Sequence, residues 1–292
     1  MSIGNVGVVS PGDMGQAVAA RLKECGYATY TALDGRSTRT RALAAKGGIE
    51  DCGSMKELVS RCDMVWSILN PAAALEKARE TAAAMAATGR RITYVDCNAI
   101  APQTVREIDA IISAAGGTFI DAGIVGAPPR GAAKTRIYVA GPEAGRLAAI
   151  ANDHLLIRVV SERVGDASAL KMCYGAVTKG AVALGVELLI AARKLGVAEP
   201  LEREFEESLG EIYKWLLART VGMPPKAYRW VPEMHEIAKT FEGVGMTPRI
   251  MAGAADMYES IAATALGRES PEQARERGRD ARTIIGDLAS GT

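Results

Sequence analysis

The chain has 292 residues, of which 48% are hydrophobic and 24% charged. About 150 residues per domain predicts two domains with sizeable cores, and the composition excludes wholesale disorder. Lys plus Arg number 35 and Asp plus Glu 34, a net charge of +1 that gives no electrostatic case for nucleic acid or an anionic membrane. Aromatics make up only 5%, which suits alanine-rich helices and glycine turns better than an aromatic β-sandwich. The five cysteines, Cys25, Cys52, Cys62, Cys97 and Cys173, are scattered without a CxxC pair. That pattern predicts no disulfide framework, no zinc site and a reducing, cytoplasmic setting. The amino terminus reads straight into a strand, so no signal peptide is expected. The longest apolar stretch, around Gly180 to Ala192, contains Glu187 and reads as too short for a membrane span.

In the first half, short apolar runs alternate with helical stretches. Strands are expected at Asn5–Val9, Ala28–Leu33, Met64–Leu69, Ile92–Asp96, Thr118–Asp121, Arg136–Ala140 and Leu156–Ser161. Helices are expected at Met14–Cys25, Thr38–Lys46, Met55–Arg61, Ala72–Ala87 and Pro102–Ala115. This alternation predicts an α/β, doubly wound, mostly parallel sheet, a Rossmann domain over residues 1–164. Beyond Gly165 the strand signal ends. Helical periodicity runs through Asp166–Leu195, Glu199–Thr220, Tyr228–Val244, Arg249–Leu266 and Pro271–Leu288. Residues 165–292 therefore read as an all-α domain for substrate binding and dimerisation.

Ser10-Pro11-Gly12-Asp13-Met14-Gly15 lies between the first strand and first helix, where a dinucleotide-binding turn belongs. In the G-x-G-x-x-G pattern the second glycine admits the pyrophosphate and the third lets the helix pack closely. Gly12 and Gly15 fill those places, and Ser10 stands at the first. After the second strand, Asp34-Gly35-Arg36-Ser37 offers two choices. Asp34 could serve the ribose of NAD. Arg36, Ser37 and Arg39 form a cluster suited to a 2′-phosphate, so NADP is favoured with NAD as the alternative. Leu69-Asn70-Pro71 ends the Met64–Leu69 strand and is expected to border the nicotinamide; a helix-start turn is the other reading.

With these motifs the sequence resembles the β-hydroxyacid dehydrogenases, the group that includes 6-phosphogluconate and 3-hydroxyisobutyrate dehydrogenases. Four segments carry the resemblance over residues 1 to about 180. They are the cofactor turn at Val6–Gly15, Asp96–Pro102 against D-x-S-T-x-x-P, Phe119–Gly126 against D-A-P-V-S-G, and the Gly165–Gly175 stretch around Lys171 against the catalytic-lysine helix. The chain looks most like a phosphogluconate-dehydrogenase-like subgroup of uncharacterised function. It departs from the pattern in several places. Asn98 replaces the usual serine, Gly123 and Val125 replace proline and serine, and Gly175 stands where asparagine follows the lysine. Tyr174 and Thr178 occupy the positions of the histidine and glutamate of 6-phosphogluconate dehydrogenases, which argues against that substrate.

The resemblance implies a hydride transfer in which Lys171 is the general acid/base. Ammonium groups titrate at about 10.4 in water, so partial burial within Ala169-Leu170-Lys171-Met172 would be needed to make an efficient base. Tyr174 and Thr178, three and seven residues on, share a helix face with Lys171 and could hydrogen-bond the substrate or simply pack. Asn98, in a loop after a strand, could hold a hydroxyl or carboxylate and touch the cofactor. Gly126 and Arg130 belong to a loop that could line the substrate cleft. Lys179 could neutralise an anionic substrate or be solvated. His154 and His235 match no triad or metal spacing. Tyr228, Arg229 and Trp230 could close the cleft or pack helices, and packing is favoured.

The reading that results is an NADP-dependent oxidoreductase acting on a small β-hydroxy acid or related alcohol or carbonyl, with a homodimer expected. The alternatives are an imine reductase, against which Lys171 argues, and a non-catalytic NADP-binding regulatory protein.

Overall fold

The computed structural model describes residues 4–291. The reading of the extreme amino terminus falls partly on residues 1–3, which lie outside that range. The chain divides into two compact units, one ending at Met172 and the next starting at Cys173. The expected limit was Val164. The difference arises because the first turns of the following helix are bonded to the sheet.

Among the described residues the first unit contains eight strands: β1 Asn5–Val9, β2 Ala28–Thr31, β3 Glu50–Asp51, β4 Met64–Ser67, β5 Thr93–Asp96, β6 Thr118–Val125, β7 Thr135–Ala140 and β8 Leu155–Ser161. They form one sheet in the order β3-β2-β1-β4-β5-β6-β7-β8. Every pairing is parallel except β6 with β7. Five helices connect the parallel strands: α1 Asp13–Glu24, α2 Thr38–Lys46, α3 Met55–Arg61, α4 Ala74–Thr88 and α5 Pro102–Ala114.

The strands read as nearly unbroken apolar runs because both faces of the sheet are covered. Met64, Trp66, Val95 and Ile120 enter one core; their neighbours Val65, Tyr94 and Phe119 enter the other. The doubly wound fold follows from that two-sided burial.

Two features of the sheet escaped the sequence. β3 is a two-residue edge strand of Glu50 and Asp51, with no hydrophobic signal. β6 runs to Val125, beyond the expected end at Asp121, because antiparallel pairing with β7 continues to Val125 opposite Arg136.

A 29-residue helical run, Asp166–Lys194, crosses the division between the units. It comprises α6 Asp166–Gly175, a wider π turn at Ala176–Gly180, and α7 Ala181–Lys194. By length and composition it is long and apolar enough to cross a membrane, contrary to the expectation from the Gly180–Ala192 segment alone. In the second unit Val182, Val186 and Leu189 of α7 are buried.

The rest of this unit is helical: α8 Ala198–Ser208, α9 Gly210–Thr220, α10 Ala227–Glu242, α11 Arg249–Ala262, α12 Ala265–Arg268, α13 Pro271–Arg277 and α14 Ala281–Ser290. Three expected helices are each divided in two. Leu209 leaves helical geometry at φ −132° and ψ 28°, separating α8 from α9. Thr264 caps α12 after α11 has ended. Gly278 adopts a left-handed φ of 60°, ending α13 before Asp280 caps α14.

Candidate active site

Parallel pairing puts the carboxyl ends of β2, β1, β4, β5 and β6 along one edge of the sheet, the edge where open α/β folds bind ligands. Most of the residues singled out in the sequence stand there, in strand order.

At the end of β1, Ser10 has φ 57° and is the non-glycine residue with left-handed backbone among the described residues. This is why the first place of the fingerprint usually belongs to glycine. Its hydroxyl accepts a hydrogen bond from the Arg36 guanidinium. Pro11 follows, and Gly12 is the N-cap of α1 with no side chain capping that helix end. A methyl group at Gly12 would meet only the Ser10 carbonyl, at 3.9 Å. The backbone is thus open to a phosphate where the helix N–H groups point. Met14 is half-buried and packs against the core, and Gly15 is buried in the first turns of α1.

Asp13 does not face outward alone: Arg130 donates to its carboxylate at 2.6 Å and to its carbonyl at 2.9 Å. Arg21 holds the same loop through the carbonyls of Pro129 and Gly131 at 2.9 Å each. Arg130 is therefore an anchor of the 126–131 loop on α1. Gly126, at the head of this loop, has φ 123°.

At the end of β2, Asp34 and Arg36 line a small cavity with Ser10, Gly53, Lys77 and Glu80. Gly35 provides the turn at φ 68°. Ser37 caps α2, accepting the Thr40 N–H at 3.2 Å, and Arg39 is an exposed residue in the first turn of that helix. Lys77 and Glu80, which form an ion pair on α4, were not found in the sequence because they lie on an ordinary amphipathic helix.

At the ends of β4 and β5, Asn98 is 2% exposed and its amide is fully engaged. Its Oδ1 accepts the Leu69 N–H at 2.8 Å, and its Nδ2 donates to Ser67 Oγ at 2.9 Å and Asp96 Oδ2 at 3.0 Å. Asn98 thus ties two loops together. The Asn70 side chain accepts the Ala72 N–H at 3.1 Å, with Pro71 starting the short 3-10 turn, so the helix-start reading accounts for its geometry. Asp96, fully buried, accepts the backbone N–H of Asn98 at 2.9 Å. Burial pushes its carboxyl up from an ordinary 3.8 to about 7, against the pull of the Asn98 hydrogen bonds.

Asp96 pairs in register with Asp121 on β6. Asp121 Oδ2 accepts the N–H groups of Gly165, Ala167 and Ser168 at 2.9, 3.0 and 3.1 Å, and Oδ1 accepts the Ser168 hydroxyl at 2.6 Å. Burial raises its pKa while these donors lower it. Both aspartates lie inside the motifs read from the sequence, but there they looked like strand ends. The helix that Asp121 caps carries Lys171, which is half-buried.

In the second unit Tyr174 is 40% exposed, and the Thr178 hydroxyl donates back to the Tyr174 carbonyl at 3.0 Å. Lys179 is paired with buried Glu233 and lies 5.5 Å over the Trp230 ring. It is packed and ion-paired, unlike the solvated lysine that was one of its two readings from sequence. The Tyr258 hydroxyl donates to the Lys179 carbonyl at 2.7 Å, satisfying a group in the π turn. Tyr228 and Arg229 are exposed, while Trp230 stacks edge-on against Tyr258.

Sheet order, glycine turn and open helix end define a dinucleotide-binding protein. Residues 3–152 match the family described as the NAD binding domain of 6-phosphogluconate dehydrogenase, and residues 192–261 match a domain of unknown function (DUF1932). The chain belongs to this β-hydroxyacid dehydrogenase-like family of NAD(P)-dependent dehydrogenases.

A conserved protein of unknown function, reported as structurally similar to 3-hydroxyacid dehydrogenases, is 30% identical with a TM-score of 0.64, covering 94% of this chain and 99% of its own. A Methanothermus fervidus protein described as an uncharacterized 28.5 kDa protein in the 7S RNA 5′ region is 28% identical over 259 residues, 88% of this chain and 98% of that one. The fold is also that of Mycobacterium tuberculosis 3-hydroxyisobutyrate dehydrogenase in a structure with L-serine. That chain has a TM-score of 0.70 at 20% identity, with 95% and 100% of the two chains covered.

Proposed function

We propose that this chain is an NADP-preferring oxidoreductase that moves a hydride between the nicotinamide and a small β-hydroxy acid or related alcohol or carbonyl. The observation that carries the reading is the placement of Lys171. Its helix starts on Asp121 of β6, beside the strand that ends in Asp96, with Asn98 in the loop just beyond. The lysine thereby stands two strands along from β4, whose Leu69 and Asn70 lead off the same edge.

Ser10, Pro11, Gly12, Asp13, Met14 and Gly15 would hold the pyrophosphate, with Asp34, Gly35, Arg36 and Ser37 at the adenosine ribose. Leu69, Asn70 and Pro71 would border the nicotinamide. The open backbone at Gly12 fits such a group. When bound, the dinucleotide accepts or gives the hydride. Lys171 takes the hydroxyl proton during oxidation and returns it during reduction. Tyr174, Thr178 and Gly126 contribute to the substrate surface. Asn98 acts chiefly by holding Leu69 and Asp96 in place, since its amide hydrogens are already engaged.

Arg36 supports NADP over NAD because its guanidinium is held over the turn by a neutral hydroxyl. The amino-terminal unit serves the cofactor and the helical unit the substrate and the dimer. Exposed Val177, Leu184 and Ile212 in the helical unit support a homodimer. The five free cysteines support a reducing, cytoplasmic setting.

The test is absorbance at 340 nm with NADPH and a panel of hydroxy acids, aldehydes and imines. Lys171→Ala should abolish turnover of the active substrate; unchanged turnover would remove the acid/base assignment. A panel without any turnover would favour the regulatory reading, which the full engagement of Asn98 keeps in view.

A further inference from the structure

Strand alternation puts Asp121 and Gly123 on the same face of β6. The two residues meet α6 at successive turns. Asp121 accepts three backbone N–H groups and one hydroxyl from Gly165, Ala167 and Ser168. All four partners are donors, so the ionised carboxylate is the form that fits, at the positive end of the helix.

Two residues further along β6, a methyl group at Gly123 would lie 2.9 Å from Lys171 Cβ and 2.9 Å from the Ala167 carbonyl oxygen. No Cβ fits there without moving the helix, so the lysine's own Cβ rests on the strand backbone. Ser168 and Lys171 are three residues apart and share a helix face. One contact thus fixes the start of α6, and the other fixes its distance from the sheet at the lysine.

We propose that Asp121 and Gly123 are positioning residues for Lys171, which together set its height over the sheet edge and its rotation about the helix axis. The proposal rests on Lys171 being the acid/base group. It adds that glycine, in place of a larger residue, is what seats the lysine. The bland alternative is that Asp121 merely caps a helix and Gly123 merely saves space, with the amine indifferent to both.

The experiment compares Gly123→Ala, Asp121→Asn and the milder Ser168→Ala with the wild type, each full-length and checked for folding by circular dichroism. Lysines are dimethylated with 13C-formaldehyde, and the Lys171 signal is assigned as the resonance lost in Lys171→Arg. In Gly123→Ala that resonance should shift while the other lysine resonances hold. The kcat should fall by about 100-fold, the scale expected for a 1 Å misplacement, with KM for the dinucleotide within twofold. Ser168→Ala, losing one of four bonds, should show the same shift in smaller measure. If Asp121→Asn does not fold, the other two variants decide.

A Lys171 resonance unmoved in folded Gly123→Ala and Ser168→Ala overturns the proposal. If Lys171→Ala retains full turnover while the resonance still shifts, the positioning stands and the acid/base reading falls.

Discussion

Replacing Asp96 with asparagine isolates the cost of burying a carboxylate beneath the site. Asp96 is 1% exposed, and its carboxyl is raised from 3.8 to about 7 because burial disfavours the charged form. A group that binds its proton more tightly in the folded state stabilises the fold below its unfolded pKa. That contribution disappears as pH rises through the folded value. The window is therefore about pH 4 to 7. At about 1.4 kcal/mol per tenfold change in proton affinity, the gap is worth roughly 4 kcal/mol in all.

Between pH 5 and pH 8 the wild type should lose roughly 2 to 3 kcal/mol through this group. Asp121 shifts in the same direction, and the arginine-paired Glu269 and the exposed Asp280 in the opposite one, but these cancel in a difference between variants. Asp96→Asn also puts its amide against that of Asn98, a penalty independent of pH. The assay is urea denaturation of both proteins at half-unit steps from pH 5 to 8. The difference in unfolding free energy should change by roughly 2 to 3 kcal/mol across the range, in favour of the variant at high pH. Parallel curves, within about 0.5 kcal/mol, would refute the assignment of a buried, proton-binding Asp96.

The remaining predictions concern the cofactor end and the helical unit. Arg36→Ala should weaken NADP binding at least tenfold more than NAD binding in calorimetric titration, and equal losses would remove the phosphate role. Ser10→Gly should raise stability by about 1 kcal/mol by relieving left-handed strain, while loosening Arg36 and lowering NADP affinity. A thermal melt and a titration check the two halves separately. Glu233→Gln should destabilise by about 3 kcal/mol, because it removes the buried carboxylate beside Lys179, and an unchanged melting temperature would count against that pair. Light scattering should give twice 30.7 kDa, and a 30.7 kDa particle would reject the dimer.

The sequence carried the sheet because each strand is a short apolar run between glycine or proline turns, and burial on both faces makes such runs hard to mistake. The two-residue strand at Glu50 and Asp51 has no such signal, since edge strands need none. The helix breaks at Leu209 and Gly278 were hidden for a different reason. Both interrupt stretches rich in helix-forming residues, and tertiary packing rather than local preference decides where each piece turns. At the site, residue types picked out candidate positions but not what each side chain touches. Asn98 was legible as a polar residue after a strand. Its threefold engagement with Ser67, Leu69 and Asp96 depends on β4 and β5 being neighbours, which no local pattern encodes. Asp121 was quoted within its motif, yet its partners lie more than forty residues away.

Pairing also decides which cations are left to meet an anion. Arg36, Arg130 and Lys179 were equivalent as letters, each a basic residue near a motif. Arg130 is bound to the Asp13 carboxylate and Lys179 to the Glu233 carboxylate, so bringing an anionic ligand to either would mean competing with an ion pair. Arg36 is held by the Ser10 hydroxyl, which orients the guanidinium without neutralising it. A serine in the first place of the glycine turn, costly in backbone terms, thereby places an arginine whose charge is not cancelled by its anchor at the mouth of the dinucleotide turn. A glycine there would relieve the strain and lose the anchor. The departure from the usual fingerprint and the proposed preference for a 2′-phosphate are on this argument one feature, and Ser10→Gly tests both together.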